Sequence, residues 1–419
     1  MRADNSYTDY AYDMIKYIEE TYGPRYSSSE AEKKANLWVK EEFSKFCDET
    51  HQEEFETRPN AYPQGIIKIT GFLAGIAFIF MPFVFPWPLF SAIFVLIGLF
   101  ILVTNLFLGQ RWLGVLFSKG ISSNVHGIIK PSGEVKFRIL FEGHIDSAKQ
   151  LRIGEYERLP GKRFLLGILY LVLTIIMSFV KFFAQLDGTI PIYLEAGIFQ
   201  WTLYDWIYFL PLIVLYPCFI FVIRGLTGSV VVPGAADNLS GVAVTAALGK
   251  YLSQNRLKHI EIVVASMGSE EIGSRGANYF VQQHGDLLKN GIAYVIDDAA
   301  AGDTFYLVEK SILYGISFDP DAMNRIEQAY NLYKKDTPDA VPLKRGNVIL
   351  GASDAAVYVK AGYKSGFILG ILDREGAKIA KPPHWHSIHD TWKNINKKMV
   401  RDNIGVALKF VELLDKEYS

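Results

Sequence analysis

The stretch His259–Gly276, HIEIVVASMGSEEIGSRG, decides how the rest of this 419-residue chain is read. Its first half, with Ile260, Ile262, Val263 and Val264, is an apolar, β-branched run of strand length. Gly268 and Ser269 break the run, and two adjacent carboxylates follow, Glu270 and Glu271. Gly273 and Gly276 come next, where a backbone bends or packs closely. Neighbouring side chains on an extended segment point in different directions. Two glutamates at a strand end can therefore take two roles, one as a metal ligand and one facing the water that the metal activates. A solvated acidic turn is the commoner account of an isolated Glu-Glu pair, so the decision rests on what accompanies the pair.

Four segments accompany it. Phe141–Ser147 (FEGHIDS) carries His144 and Asp146 two residues apart at the end of a strand-like run. Pro233–Gly241 (PGAADNLSG) sets Asp237 in a turn of small residues just before a helix. The predicted strand Ile292–Ile296 ends in Asp297 and Asp298, and His384–Thr391 reads HWHSIHDT. Singly, each has a plainer account: His144 as a satisfied core histidine, Asp237 or Asp390 as a helix cap, Asp298 as a turn residue. Together, four of the eight histidines fall in these segments, and carboxylates recur at strand C-termini, where open α/β sheets build their sites. Imidazole and carboxylate without thiolate suit hydrolytic zinc rather than a structural zinc finger. A two-zinc centre needs a bridging carboxylate, terminal His and Asp/Glu ligands and a base, and these segments hold one of each.

With GHIDS, PGAADNLSG, SEEIGSRGA, the strand-end Asp and the HSIHDT tail in this order, the chain resembles the co-catalytic zinc exopeptidases. That family includes bacterial leucyl aminopeptidases, glutamate carboxypeptidase, glutaminyl cyclase and the transferrin-receptor ectodomain. Gly23-Pro24-Arg25 followed by Ser27–Ser29 fits its N-terminal helical region. The resemblance implies an α/β fold, a mixed, mostly parallel sheet flanked by helices in a three-layer sandwich. It also implies that His144, Asp237 and Asp298 hold one zinc and that Asp237, Glu271 and His386 hold the other, with Asp237 bridging. Glu270 would be the general base and later the proton donor, and Asp146 would orient the His144 imidazole. Asp297 and Asp298 are adjacent and leave the register open. Asp298 is preferred because Ala293-Tyr294-Val295 then falls where the family's strand lies. His386 is preferred over His384 and His389 because it stands four residues before Asp390-Thr391. Trp385 occupies the position where some members carry a Tyr that polarises the scissile carbonyl, and it has no oxygen to offer.

Composition adds a membrane. Half of the residues are hydrophobic (50%), with 28 Phe, and the excess is concentrated. Gly65–Phe85 carries one charge, Lys68, and Leu89–Leu108 carries none. Phe164–Phe183 is interrupted only by Lys181, expected to snorkel from the span end, and Trp206–Ile223 lies between Asp205 and Arg224. Each run is close to the ~20 residues that cross a bilayer. Pro211 and Pro217 are tolerated there as kinks. The expected layout is a helical start to the peptidase domain (1–64), a transmembrane hairpin (65–108), strands with His144 and Asp146 (109–162), a second hairpin (163–224) and the main peptidase part (225–419).

Charge gives the orientation. Pro82–Pro88 and Leu186–Tyr204 contain no Lys or Arg, and the latter offers Asp187 and Glu195. The opposite flanks carry Lys68, Arg111, Lys119, Arg152, Arg158, Lys162, Arg163 and Arg224, which places them, and the peptidase segments, on the cytoplasmic side. A polar N-terminus without an apolar core predicts no cleavable signal peptide. Two distant cysteines, Cys47 and Cys218, form no disulfide framework and fit a reducing compartment. A formal net charge of −1 gives no reason to expect nucleic acid.

The reading is a four-span membrane zinc exopeptidase, an aminopeptidase acting on peptides. Its rivals are a glutaminyl cyclase-like transferase and a non-catalytic receptor or assembly module on the same fold. A transporter is disfavoured because the spans show almost no polar pairs.

Overall fold

The computed structural model describes residues 1, 3–152, 161–349, 351–373 and 382–419; Arg158, counted above among the basic flanks, lies outside them. Helices α1 (Asn5–Tyr22) and α2 (Glu30–Ser44) open the chain on either side of the Gly23-Pro24-Arg25 turn. Ser29 caps α2 by accepting from the Glu32 N–H. Strand β1 (Glu49–Thr57) leads to α3 (Gln64–Ile76) and α4 (Trp87–Leu102). Next come β2 (Gly120–Ile129), β3 (Phe137–His144), α5 (Gly161–Leu186), β4 (Ile192–Ala196), β5 (Phe199–Thr202) and α6 (Leu203–Leu226). The C-terminal half holds α7 (Ser240–Gln254), β6 (Ile260–Met267), α8 (Arg275–His284), β7 (Gly291–Ile296), β8 (Thr304–Ser311) and β9 (Ile316–Ser317). It ends with α9 (Pro320–Asp336), β10 (Leu343–Val348), α10 (Ala355–Lys360), β11 (Lys364–Ile371) and α11 (Lys397–Tyr418).

These elements form two compact units. The first comprises residues 1–59, 119–149 and 231–419. Its mixed sheet runs β1-β2-β6-β3-β7-β11-β8-β10, with β9 paired to β8. The central strands β6, β3, β7 and β11 are parallel, and β1, β2 and β8 join antiparallel. Every residue of β6 and β7 is buried, as expected of parallel strands covered by helices on both faces. Three adjacent strands therefore end at one sheet edge: β6 before Glu270, β3 at His144 and β7 before Asp297. The mixed α/β sheet flanked by helices is thus the expected fold class.

The second unit comprises residues 60–118 and 150–230. Three of its helices are long and apolar enough to cross a membrane: Trp87–Phe107, Lys162–Leu186 and Leu203–Leu226. The run expected as the first span is shorter, Gln64–Phe80, because α3 passes into a 3-10 turn at Ala77–Phe80 just before Pro82, which has no N–H to extend it. Lys181 does not snorkel. It is fully buried, and its Nζ donates to Asp205 Oδ2 at 2.7 Å, Gln200 O at 2.8 Å and Met81 O at 2.6 Å. A carboxylate within reach at the start of α6 gives the ammonium a partner that solvent would otherwise supply. These apolar helices therefore hold a buried polar pair, Lys181 with Asp205, that their composition concealed.

Candidate metal centre

His144 ends β3, and Gly143 lets it approach α7: a Cβ on Gly143 would lie 2.4 Å from the Gly241 carbonyl carbon. The imidazole is buried. Its Nε2 stands 3.2 Å from Asp237 Oδ1, 3.6 Å from Asp297 Oδ1 and 3.8 Å from Glu270 Oε2. Asp237 turns its other oxygen the opposite way, 3.3 Å from His386 Nε2, which is also 3.1 Å from Glu271 Oε2. Two donor groups result, His144–Asp237–Asp297 and Asp237–Glu271–His386, sharing Asp237.

Asp298, expected as a ligand of the first group, does not join it. Register explains why. Glu142 in β3 pairs with Val295 in β7, so two residues further on His144 is level with Asp297 and shares its face. Asp298 follows with a left-handed backbone (φ 51°), and its carboxylate is buried with no hydrogen-bond partner among the described residues. The third place in the group therefore belongs to Asp297, the neighbour that the sequence left open.

Asp146 does more than face His144. Its Oδ1 lies 3.4 Å from His144 Nδ1 and accepts the Glu270 N–H at 2.9 Å, while Oδ2 accepts the Glu271 N–H at 3.1 Å. One buried carboxylate thus orients the imidazole and fixes the backbone of both glutamates. Asp390 acts similarly on Asp237, accepting the Ala236 N–H at 2.7 Å and the Asp237 N–H at 3.1 Å. Of the seven non-glycine residues with positive φ among those described, Ser269, Ser274, Asp298, His384 and His386 lie in these loops. Such conformations persist where surrounding contacts over-determine them.

Several supports were not singled out in the sequence. Arg25 is fully buried, with Nε donating to Ile145 O at 2.9 Å and Nη2 to Gly234 O at 3.0 Å, so it ties the His144 loop to the Asp237 loop. Glu32 accepts from the Ser269 N–H at 3.0 Å. Burial and then the nearby Asp146 push its carboxyl up to about 8. Ser274 donates to Glu270 Oε1 at 3.0 Å. Asp354, at the start of α10, is buried with Oδ1 unpartnered among the described residues. A signal for Asp354 existed, since GASDAA repeats the small-residue turn before a helix that marks Asp237.

The electrostatics call for cations. Burial pushes the Glu270 carboxyl well up, with Asp354, Glu271 and Asp297 adding to the shift against His144. Burial raises Glu271 to about 7 against the opposing pull of His386. Burial disfavours the charged form of His386, but Glu271 and Asp237 hold its imidazole up at about 10. Buried carboxylates that repel one another and lean on shared imidazoles are stabilised by divalent ions. Glu271 Oε1 has no hydrogen-bond partner among the described residues, as a ligand oxygen would not. Imidazole and carboxylate donors without thiolate fit zinc. The residues present therefore fit a zinc pair.

Solved structures with this architecture are zinc exopeptidases and their relatives. A zinc aminopeptidase from Bacillus subtilis aligns over 97% of this chain and 95% of its own, with 13% identity and a TM-score of 0.56. A glutaminyl cyclase from Bacteroides thetaiotaomicron aligns over 98% of both chains, with 12% identity and a TM-score of 0.55. A Zn-dependent exopeptidase from Parabacteroides distasonis covers 96% of each chain, with 13% identity and a TM-score of 0.54. At such identities the likeness is one of fold, the zinc-exopeptidase fold. No curated protein sequence matches the chain significantly. Residues 224–411 match peptidase family M28, a span that includes Asp237, Glu270, Glu271, Asp297 and His386. This C-terminal part of the chain thus matches an M28 peptidase domain, in line with the zinc exopeptidases that the motifs resemble.

Proposed function

We propose that this chain is a membrane-bound, two-zinc aminopeptidase that removes N-terminal residues from peptides. The observation that carries the reading is Asp237, whose two oxygens address two separate donor groups, His144 with Asp297 and His386 with Glu271. Zinc bound there would supply Lewis-acid polarisation of a water and of the scissile carbonyl. Glu270, held at its backbone by Asp146 and at Oε1 by Ser274, takes the proton of the attacking water and passes it to the leaving amine.

Chain connectivity supports a membrane topology with the peptidase segments on one side. The first unit builds one sheet from residues 1–59, 119–149 and 231–419, so all three segments occupy one side of a bilayer. Each intervening insertion, 60–118 and 150–230, must then leave and return on that side. Helices α5 and α6 make one such hairpin, and Gln64–Phe80 with α4 makes the other despite the shorter first arm, giving four passages. Basic flanks at Lys68, Arg111, Lys119, Arg152 and Arg224 support a cytoplasmic position for the peptidase segments.

The test is metal analysis of the purified chain together with a panel of peptides. Two zinc equivalents per catalytic site, release of single N-terminal residues, and no cleavage of N-acetylated peptides are expected. Cleavage of blocked peptides at equal rates would refute the aminopeptidase assignment. Cyclisation of an N-terminal glutaminyl peptide without release of an amino acid would convert the reading to the transferase.

A further inference from the structure

A second cluster of metal-binding side chains lies away from the catalytic edge. Strand β1 forms the end of the sheet and pairs antiparallel with β2, with His51 opposite His126 and Glu53 opposite Asn124. Because side chains alternate along a strand, His51, Glu53 and His126 share one face. Helix α8 crosses that face. Asn124 Nδ2 donates to Gly276 O at 2.8 Å near the start of the helix. Phe55 stacks on Tyr279 with ring centroids 5.2 Å apart, and Phe280 meets the His126 ring edge-on at 5.5 Å. One turn beyond Phe280, His284 comes down beside Glu53, with Nε2 at 2.9 Å from Oε1 and 2.7 Å from Oε2. The His126 and His284 rings are 4.8 Å apart. One donor atom each from Glu53, His126 and His284 falls within 4.8 Å of the others.

A His–Glu ion pair alone would not account for His126. It is 2% exposed, and its Nδ1 has no hydrogen-bond partner among the described residues. Burial, together with His284 and His51, pushes its imidazole down to about 3, so the ring is neutral at physiological pH and offers a lone pair. Two imidazoles and one carboxylate, carried by two paired strands and a helix, form a donor set suited to zinc or a similar first-row divalent ion.

We propose that Glu53, His126 and His284 form a further zinc-binding site, a clamp that joins edge strand β1 to the C-terminal end of α8. The site is independent of the zinc pair at Asp237. It would act at one end of the helix whose other end follows the Glu270–Ser274 turn. Three protein ligands leave the remaining coordination to solvent or an anion.

The experiment uses the full chain in detergent, loaded with Zn²⁺ alone, passed through gel filtration and assayed for bound metal. Glu53→Gln and His284→Gln change partly exposed side chains and leave no buried hole. Each is expected to lose one zinc equivalent relative to wild type, to keep the wild-type melting temperature in chelator, and to lose part of the zinc-induced rise in that temperature. Asp237→Asn should lose zinc independently, and adding Glu53→Gln to it should remove one equivalent more. If Asp237→Asn loses none while Glu53→Gln loses one, the two-zinc catalytic reading fails and this site stands. Equal zinc content in wild type, Glu53→Gln and His284→Gln overturns the site and leaves an ordinary ion pair beside a neutral histidine.

Discussion

Replacing Asp146 with Asn keeps the shape of the side chain and removes its charge, at a point where three functional groups depend on it. The carboxylate accepts the N–H of Glu270 at 2.9 Å and of Glu271 at 3.1 Å, one on each oxygen, and stands 3.4 Å from His144 Nδ1. An amide has one accepting oxygen. Whichever way Asn turns, one of the two N–H groups faces an NH₂, so one charge-assisted bond is lost and the other becomes neutral. Bonds to charged groups contribute about 1.5–3 kcal/mol and neutral ones about 0.5–1.5 kcal/mol. The loss is therefore about 3 kcal/mol, which corresponds to a fall in melting temperature on the order of 5–10 °C. Relaxing the imidazole and both glutamates should weaken zinc by about 10–100-fold, as for other residues that orient metal ligands. The measurements are thermal unfolding with and without chelator and zinc titration against a competing chelator. A variant that melts within about 1 °C of wild type and binds zinc equally would show that Asp146 does not position these groups.

Other perturbations separate the remaining roles. Glu270→Gln should retain zinc and fold while turnover falls by about 10²–10⁴; near-wild-type hydrolysis would remove it as the base. Asp297→Asn should weaken zinc more than Asp298→Asn, and His386→Ala more than His389→Ala, in a metal titration; the reverse order would shift the assignment to the neighbour. Burial, opposed by His386, raises the Glu271 carboxyl from 4.5 to about 7, so the metal-free fold holds an extra proton between those values and loses stability as pH rises through them. Zinc takes the place of that proton, so loading near pH ~6 should release protons into weakly buffered solution, and no release would contradict the coupling. In a cysteine-free background, an impermeant thiol reagent added to intact cells should label Asp187→Cys and spare Lys119→Cys; the opposite result would overturn the cytoplasmic placement.

Much of this was legible where chemistry is local. The β6 run, the two glutamates and the small-residue turn at Asp237 announce themselves because a buried parallel strand is continuously apolar and a tight turn needs small side chains. The edge strands were not legible. β1 reads ETHQEEFET and β10 reads LKRGNV, because an edge strand keeps much of its surface in water, and β1 passed for a continuation of the preceding helices. Asp297 and Asp298 could not be separated without the pairing of β7 to β3, since one residue of register exchanges the two faces of a strand. Arg25 read only as part of the Gly23-Pro24-Arg25 turn, and Lys181 as a cation snorkelling from a span end. Their partners, Ile145, Gly234 and Asp205, lie elsewhere in the sequence, and a buried charge is recognised only once those partners are placed.

The sites where the apolar segments enter explain how a catalytic domain tolerates them. The first insertion, 60–118, is flanked by Thr57 and Gly120, the last pair of the β1–β2 ladder. The second leaves after Lys149 and returns at Val231, which bridge each other, and the Val232 N–H donates to Ala148 O at 2.9 Å. Both insertions therefore spring from closed stems. Loop-closure entropy grows only with the logarithm of loop length, so once the stem is paired a long insertion costs little more than a short one. The second stem matters most, because His144 lies just before it and Asp237 just after, 3.2 Å apart across the metal centre. Pairing at Lys149 and Val231 holds His144 and Asp237, the two candidate ligands, near each other inside the first unit. Their geometry then does not depend on the packing of α5 against α6, and changes within those helices should alter membrane retention while leaving zinc affinity unchanged.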